Sequence, residues 1–255
     1  MKRGRRTLTH AELAVAILLL LVVTALLLPA LARSREASKR ASCQNNLKQF
    51  GIVVKMFANE NRGKFPPVSP IPDNWTMDLD AVYPEYVSDL AIFICPSSPM
   101  AKTGFFTLKD DQEHPGAQVG ALHPDCISSL FYVYTGYTIF SDEQALALFE
   151  TYCAAPYQVI GQEKIELPVP VWEGSNRIHA PGMSGIPIMW DRVSPHDWTF
   201  SHREPLGGNV LHMDGHVEFV RYSFHNNSNY FPMTRVCAET FGSVLPTLSS
   251  DCCQP

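Results

Sequence analysis

The chain lacks the short signatures of most catalytic chemistries. It has no Gly-x-Ser-x-Gly, no phosphate-binding glycine loop and no His-Glu-x-x-His, so the acyl-transfer, nucleotide-dependent and zinc-peptidase mechanisms that need those spacings have no foothold. Internal repeats and low-complexity tracts are missing as well. Its seven cysteines, Cys43, Cys95, Cys126, Cys153, Cys237, Cys252 and Cys253, include no Cys-x-x-Cys pair, which removes the usual metal-finger spacing. In an exported body they are candidates for disulfides, with an odd thiol left over. Basic residues are scarce beyond residue 40: twelve Lys/Arg stand against twenty-three Asp/Glu, a net of −11. An acidic body of this kind argues against nucleic acid as a partner.

The longest absence is of charge. Leu13 to Ala32 is a run of twenty residues without Asp, Glu, Lys or Arg, and Thr24 is its one polar side chain. As a helix it is about 30 Å long, the thickness of a bilayer core. Lys2, Arg3, Arg5 and Arg6 precede it; Arg33, Arg35, Lys39 and Arg40 follow. Residues 1–40 hold eight Lys/Arg against Glu12 and Glu36, a net of +6. A basic end before an apolar span predicts a single-pass anchor with the N-terminus in the cytoplasm. Glu12 stands at the mouth of that span, where a carboxylate is costly without a partner or a task. Pro29 removes one backbone hydrogen bond and is expected to kink or loosen the helix. Leu47, Phe50, Val54 and Phe57 continue the helical period as an amphipathic stripe. Asn61-Arg62-Gly63 and then Pro66-Pro67 end it. The expected helix, from about residue 7 to 61, is on the order of 80 Å long. A secretory signal cut after Ala30-Leu31-Ala32 competes with this reading, but its apolar core is long for that class and Glu12 has no role in it. A plain anchor also leaves Glu12 unexplained.

Past Pro66 the period changes to short apolar pieces between Pro, Gly and Asn, which predicts small strands and loops. A short helix is expected within Trp75 to Tyr86, a strand over Leu90 to Ile94, a strand in Phe131 to Phe140, a helix from Asp142 to Cys153 capped by Ser141, and a strand over Ile186 to Asp191. Asn209 to Val220 carries Asp214-Gly215 between alternating arms, the strongest short hairpin signal. A two-residue turn there places Met213 opposite His216 and His212 opposite Val217. Val210, His212, Val217 and Phe219 then form the face that packs on the long helix, with His212 and His216 on opposite faces.

The first fifty residues resemble the N-termini of type IV prepilins and type II secretion pseudopilins. The match is closest to a bacterial subfamily that reads Gly-Phe-Thr-Leu-Ile-Glu, an apolar run, Leu-Leu-Pro-Ala-Leu, Ala-Arg-x-Arg-Glu-Ala, then Cys-x-Asn-Asn-Leu-Lys-Gln. This chain has Glu12, Leu27-Leu28-Pro29-Ala30-Leu31-Ala32-Arg33, Arg35-Glu36-Ala37 and Cys43-Gln44-Asn45-Asn46-Leu47-Lys48-Gln49. The subfamily also ends in His, nine residues, Asp-Gly; here His202 is followed after eleven residues by Asp214-Gly215-His216-Val217. The resemblance implies an α+β, pilin-like fold: a long N-terminal helix, transmembrane then amphipathic, packed on a small antiparallel sheet with long loops. It implies assembly with other pilin-like subunits through the N-terminal helix, with Glu12 and Pro29 as assembly residues. The setting is the bacterial inner membrane, with the head in the periplasm or at the cell surface and a secretion or pilus machinery as partner. It marks Thr7–Leu8 as the site of prepilin-peptidase cleavage and methylation, although Thr7 stands where the family has a small residue, nearly always glycine.

The expected organisation is a basic leader-like segment at 1–12, a transmembrane helix at 13–32, an amphipathic helix at 33–62, an exported head at 66–222 and a Cys-containing tail at 223–255. No residue is assigned a catalytic role, and no cofactor is expected. His202, Asp214, Gly215 and His216 are read as a structural signature, with His202 bonding Asp214 or Asp191 to pin its loop to the sheet. Asp191, His202 and Asp214 form the best metal set, and Asp191, Asp197 and Asp214 supply the oxygen ligands that calcium takes. The alternative function is a membrane-tethered binding or metal-dependent enzymatic domain, its site in the loops of 97–185 near Trp172, His179 and Trp190.

Overall fold

The computed structural model describes residues 10–102, 104–109, 115–154, 182–196, 200–203, 205–223, 230–243 and 252. The chain divides into two units, residues 1–39 and 40–255. A single helix, α1 (His10–Glu60), is shared between them and is 51 residues long. Pro29 lies inside it without ending it. Thr24, mid-span, turns its hydroxyl back onto the carbonyls of Leu20 and Leu21 at 2.9 and 3.0 Å, which satisfies the one polar side chain without an outside partner. Asn61 and Gly63 then close the helix onto the carbonyls of Phe57 and Ala58, and Gly63 takes the left-handed conformation of a helix stop.

In the second unit, α2 (Leu79–Val82), α3 (Asp142–Ala154) and α4 (Arg235–Glu239) surround five antiparallel strands: β1 (Tyr132–Tyr134), β2 (Pro187–Asp191), β3 (His202–Arg203), β4 (Leu206–His212) and β5 (Val217–Arg221). The architecture is therefore α+β, with a small antiparallel sheet. β4 is the hub: β2, β3 and β5 all pair with it, and β1 joins β2. Both faces of β4 are covered, so Val210 and Leu211, which the pleat sends to opposite sides, enter different clusters. Leu211 joins Cys43, Leu47, Phe50 and Val54 of α1, together with Phe93, Tyr132 and Met189. Val210 joins Trp75, Trp190, Phe200, Met233, Cys237 and Phe241. Phe50 is fully buried and meets Phe93 edge-on at 4.7 Å. Gly51 brings α1 so near β4 that a Cβ there would stand 3.1 Å from a Leu211 methyl.

Three expectations need correction. Leu90 to Ile94 is no strand: Leu90–Phe93 is a 3-10 turn, started by Asp89, whose carboxylate accepts the Ala91 N–H at 2.9 Å. A local cap of this kind overrides the β-preference of an apolar run. The hairpin loop is one residue longer than expected. Leu211 pairs with Val217 and Val210 with Glu218, so the turn is Met213-Asp214-Gly215, with Gly215 in the left-handed region at φ 95° and its N–H on the His212 carbonyl at 2.8 Å. Asp214 has no positive φ, whereas a two-residue type I′ turn requires one at both central positions. The one-residue shift exchanges the faces: Leu211, Met213 and Val217 pack in the α1 cluster, Val210 in the other, and His212, His216 and Glu218 come to one side. Finally, part of the expected tail packs into the body. Met233, Cys237, Ala238 and Phe241 are buried in the second cluster, and Cys252 is bonded to Cys126.

Candidate functional site

Within residues 10–39 the candidate residues lie on α1. Glu12 occupies its first turn, where unpaired backbone N–H groups favour a carboxylate. None of the most apolar 18-residue window is buried, and its leucines are mostly more than half exposed. Thr7 and Leu8 lie outside the described residues.

The body holds a buried polar cluster built by three strands. β2 ends on Asp191, β3 begins with His202 and β4 contributes Asn209. One oxygen, Asp191 Oδ2, accepts the Asn209 backbone N–H at 2.6 Å and the Asn209 side-chain amide at 2.8 Å. His202 Nε2 stands 2.8 Å from the same oxygen. Asn209 Nδ2 also lies 3.1 Å from His202 Nε2. All three residues are buried, which is how a strand-end carboxylate survives away from water. Cys95 Sγ lies 3.8 Å from His202 Nε2 and is bonded to Cys43 on α1. Asn46, one turn along, donates to the Ile94 carbonyl at 3.0 Å and to the Tyr132 hydroxyl at 3.2 Å. Burial, then the nearby Asp191 charge, holds the Tyr132 hydroxyl well above its ordinary pKa. Arg40 stacks over Phe219, 5.2 Å from the ring centre, and the Phe219 edge faces His202. The cluster thus fixes the α1 segment around Cys43 to three strands.

Of the two expected partners of His202, the structure selects Asp191. Asp214 serves its own turn: Oδ1 accepts the His216 backbone N–H at 3.0 Å and contacts His216 Nδ1 at 2.6 Å. Asp191, His202 and Asp214 therefore do not form a metal set among the described residues, and Asp197 lies outside them. Cys43, Cys95 and His202 are close enough to share an ion, but both sulfurs are committed to a disulfide, and only thiolates ligate or attack. The second disulfide joins Cys126 and Cys252. Cys237 is free and buried, its thiol pushed up to about 12 by burial. Cys253 lies outside the described residues, as do Trp172 and His179; Trp190 is fully buried in the second cluster. Sequence reasoning gave Asn209 no role. Its signal is a carboxamide at a strand position whose neighbours Val210 and Leu211 are apolar and buried, a place polar groups occupy only when bonded. No family model, no curated protein and no solved structure matches the chain.

Proposed function

We propose that this protein is a membrane-anchored, pilin-like structural subunit that assembles with other copies or related subunits through the apolar half of α1. In this reading it crosses a bacterial inner membrane once, with its N-terminus cytoplasmic and the α+β body in the periplasm or at the surface. The observation that carries it is α1 itself. One helix presents an 18-residue apolar window with nothing buried, then supplies Cys43, Leu47, Phe50 and Val54 to a protein core. A cleaved signal gives Glu12 no task, and a plain tether does not account for Glu12 at the mouth of the apolar run. In a lateral bundle of such helices the Glu12 carboxylate is sheltered from water and pairs with a cation of a neighbour.

Glu12→Ala tests the reading. Cross-linking in membranes is expected to yield fewer oligomers from the variant, while the thermal unfolding of its body is unchanged. Oligomers in wild-type amount would remove the assembly role. N-terminal sequencing of the mature protein separates cleavage at Thr7–Leu8 from cleavage after Ala32 and from no cleavage.

A further inference from the structure

The tip of the β4–β5 hairpin carries a second histidine–carboxylate group, independent of the His202 cluster and of any role in assembly. His212 donates its backbone N–H to the His216 carbonyl across the turn, at 3.0 Å. The two imidazoles lie face to face, 4.2 Å between centroids and 3° from parallel. Glu218, two residues on, places Oε1 3.1 Å from His212 Nε2. One ligand atom from each of His212, His216 and Glu218 lies within 4.8 Å of the others.

His212 is the telling member. It is only 5 % exposed, yet neither ring nitrogen makes a well-formed hydrogen bond, Glu218 Oε1 standing 3.1 Å from Nε2. A buried imidazole left so is costly unless something takes up a lone pair. His216 is already set for a ligand. The Asp214 carboxylate on Nδ1 fixes the tautomer and leaves the Nε2 lone pair free, the arrangement found behind metal-bound histidines. Lys55 is directed to the Asp214 carbonyl, not to that carboxylate.

The geometry points to a site for a zinc-class divalent cation, with His212, His216 and Glu218 as ligands and Asp214 orienting His216. Two imidazoles and a carboxylate suit zinc, whereas calcium and magnesium favour all-oxygen shells. Ligand atoms about 2.0–2.2 Å from a tetrahedral zinc stand roughly 3.4 Å from one another, which the His212–Glu218 separation of 3.1 Å already approaches. The remaining closure falls to the half-exposed side chains of His216 and Glu218. Three protein ligands leave the fourth position for water or a group from outside. The metal would cross-link the two strands at the hairpin tip.

The test uses the full chain in detergent, stripped of metal and titrated with zinc chloride against a chromophoric chelator. One equivalent of zinc is expected to bind and to raise the melting temperature, with calcium producing neither effect. His216→Ala and Glu218→Gln, both at exposed positions, are each expected to weaken zinc by at least about tenfold, and Asp214→Asn by about 10- to 100-fold through lost orientation. Their metal-free melts, matching wild type, show that the fold is intact. Failure of the wild type to take up one equivalent, or equal zinc affinity in His216→Ala, overturns the site.

Discussion

The two halves of α1 use the same kinds of side chain to opposite ends. Leu18, Leu20 and Leu26 in the first half are 61 %, 64 % and 72 % exposed, whereas Leu47 and Phe50 in the second are fully buried. The first half is free of charge from Leu13 to Ala32 while the second mixes an apolar stripe with charged and polar residues, and the protein around them differs accordingly. The second half is covered by a sheet and by the Cys43–Cys95 bond, so its apolar area contributes to folding. The first half is uncovered among the described residues, and its apolar area becomes useful only in another apolar medium, a membrane or a bundle of like helices.

The contrast makes graded predictions. Phe50→Ala removes a ring packed on Phe93 and Tyr132 and is expected to destabilise the body by about 3–5 kcal/mol in chemical denaturation; a loss below about 1 kcal/mol would mean that α1 is not core there. His202→Ala leaves Asp191 buried without its imidazole and is expected to cost about 3 kcal/mol or more, read in the same assay. Leu20→Arg is expected to oppose membrane insertion by about 2.5–3.5 kcal/mol, seen as protein lost from the membrane fraction, with the denaturation midpoint of the body unchanged. Cys237 gives a pH test inside the body. Burial raises its folded pKa from 9.0 to about 12, so the thiol contributes stability below pH 9 that is lost as the pH rises toward 12. Cys237→Ala should flatten that alkaline decline, and an unchanged slope would contradict the burial. The smallest effect is Leu20→Ala, within about 0.5 kcal/mol on body stability; a loss like that of Phe50→Ala would erase the difference between the halves.

Legibility in the sequence followed the range of the interactions. The helix stripe of Leu47, Phe50, Val54 and Phe57 and the Ser141 cap are set by neighbours three or four residues apart, and both stand as expected, with the Gln144 N–H on Ser141 Oγ at 3.3 Å. The hairpin was legible as a hairpin, but its register turned on the backbone angles of Asp214, which residue names do not fix. The partner of His202 depended on which of two aspartates the sheet brings near: Asp191 arrives through the β2–β4 pairing, eighteen positions from Asn209 in the chain. The histidine pair at the hairpin tip was hidden by the same one-residue shift, since a two-residue turn sends His212 and His216 apart.

The cysteine pairings carry a consequence for the order in which the molecule is made. Cys43 and Cys95 are 52 residues apart, Cys126 and Cys252 are 126 apart. The first pair is complete as soon as Cys95 has been made, so the segment around Cys43 can be fastened to the Cys95 turn while most of the sheet is still unsynthesised. Cys126 must wait for Cys252, 126 residues later. Until Cys252 emerges, the loop around Cys126 and Leu108 lacks the residue that closes their small cluster. A chain in which only the Cys43–Cys95 bond has closed is therefore distinguishable from one in which both bonds are made.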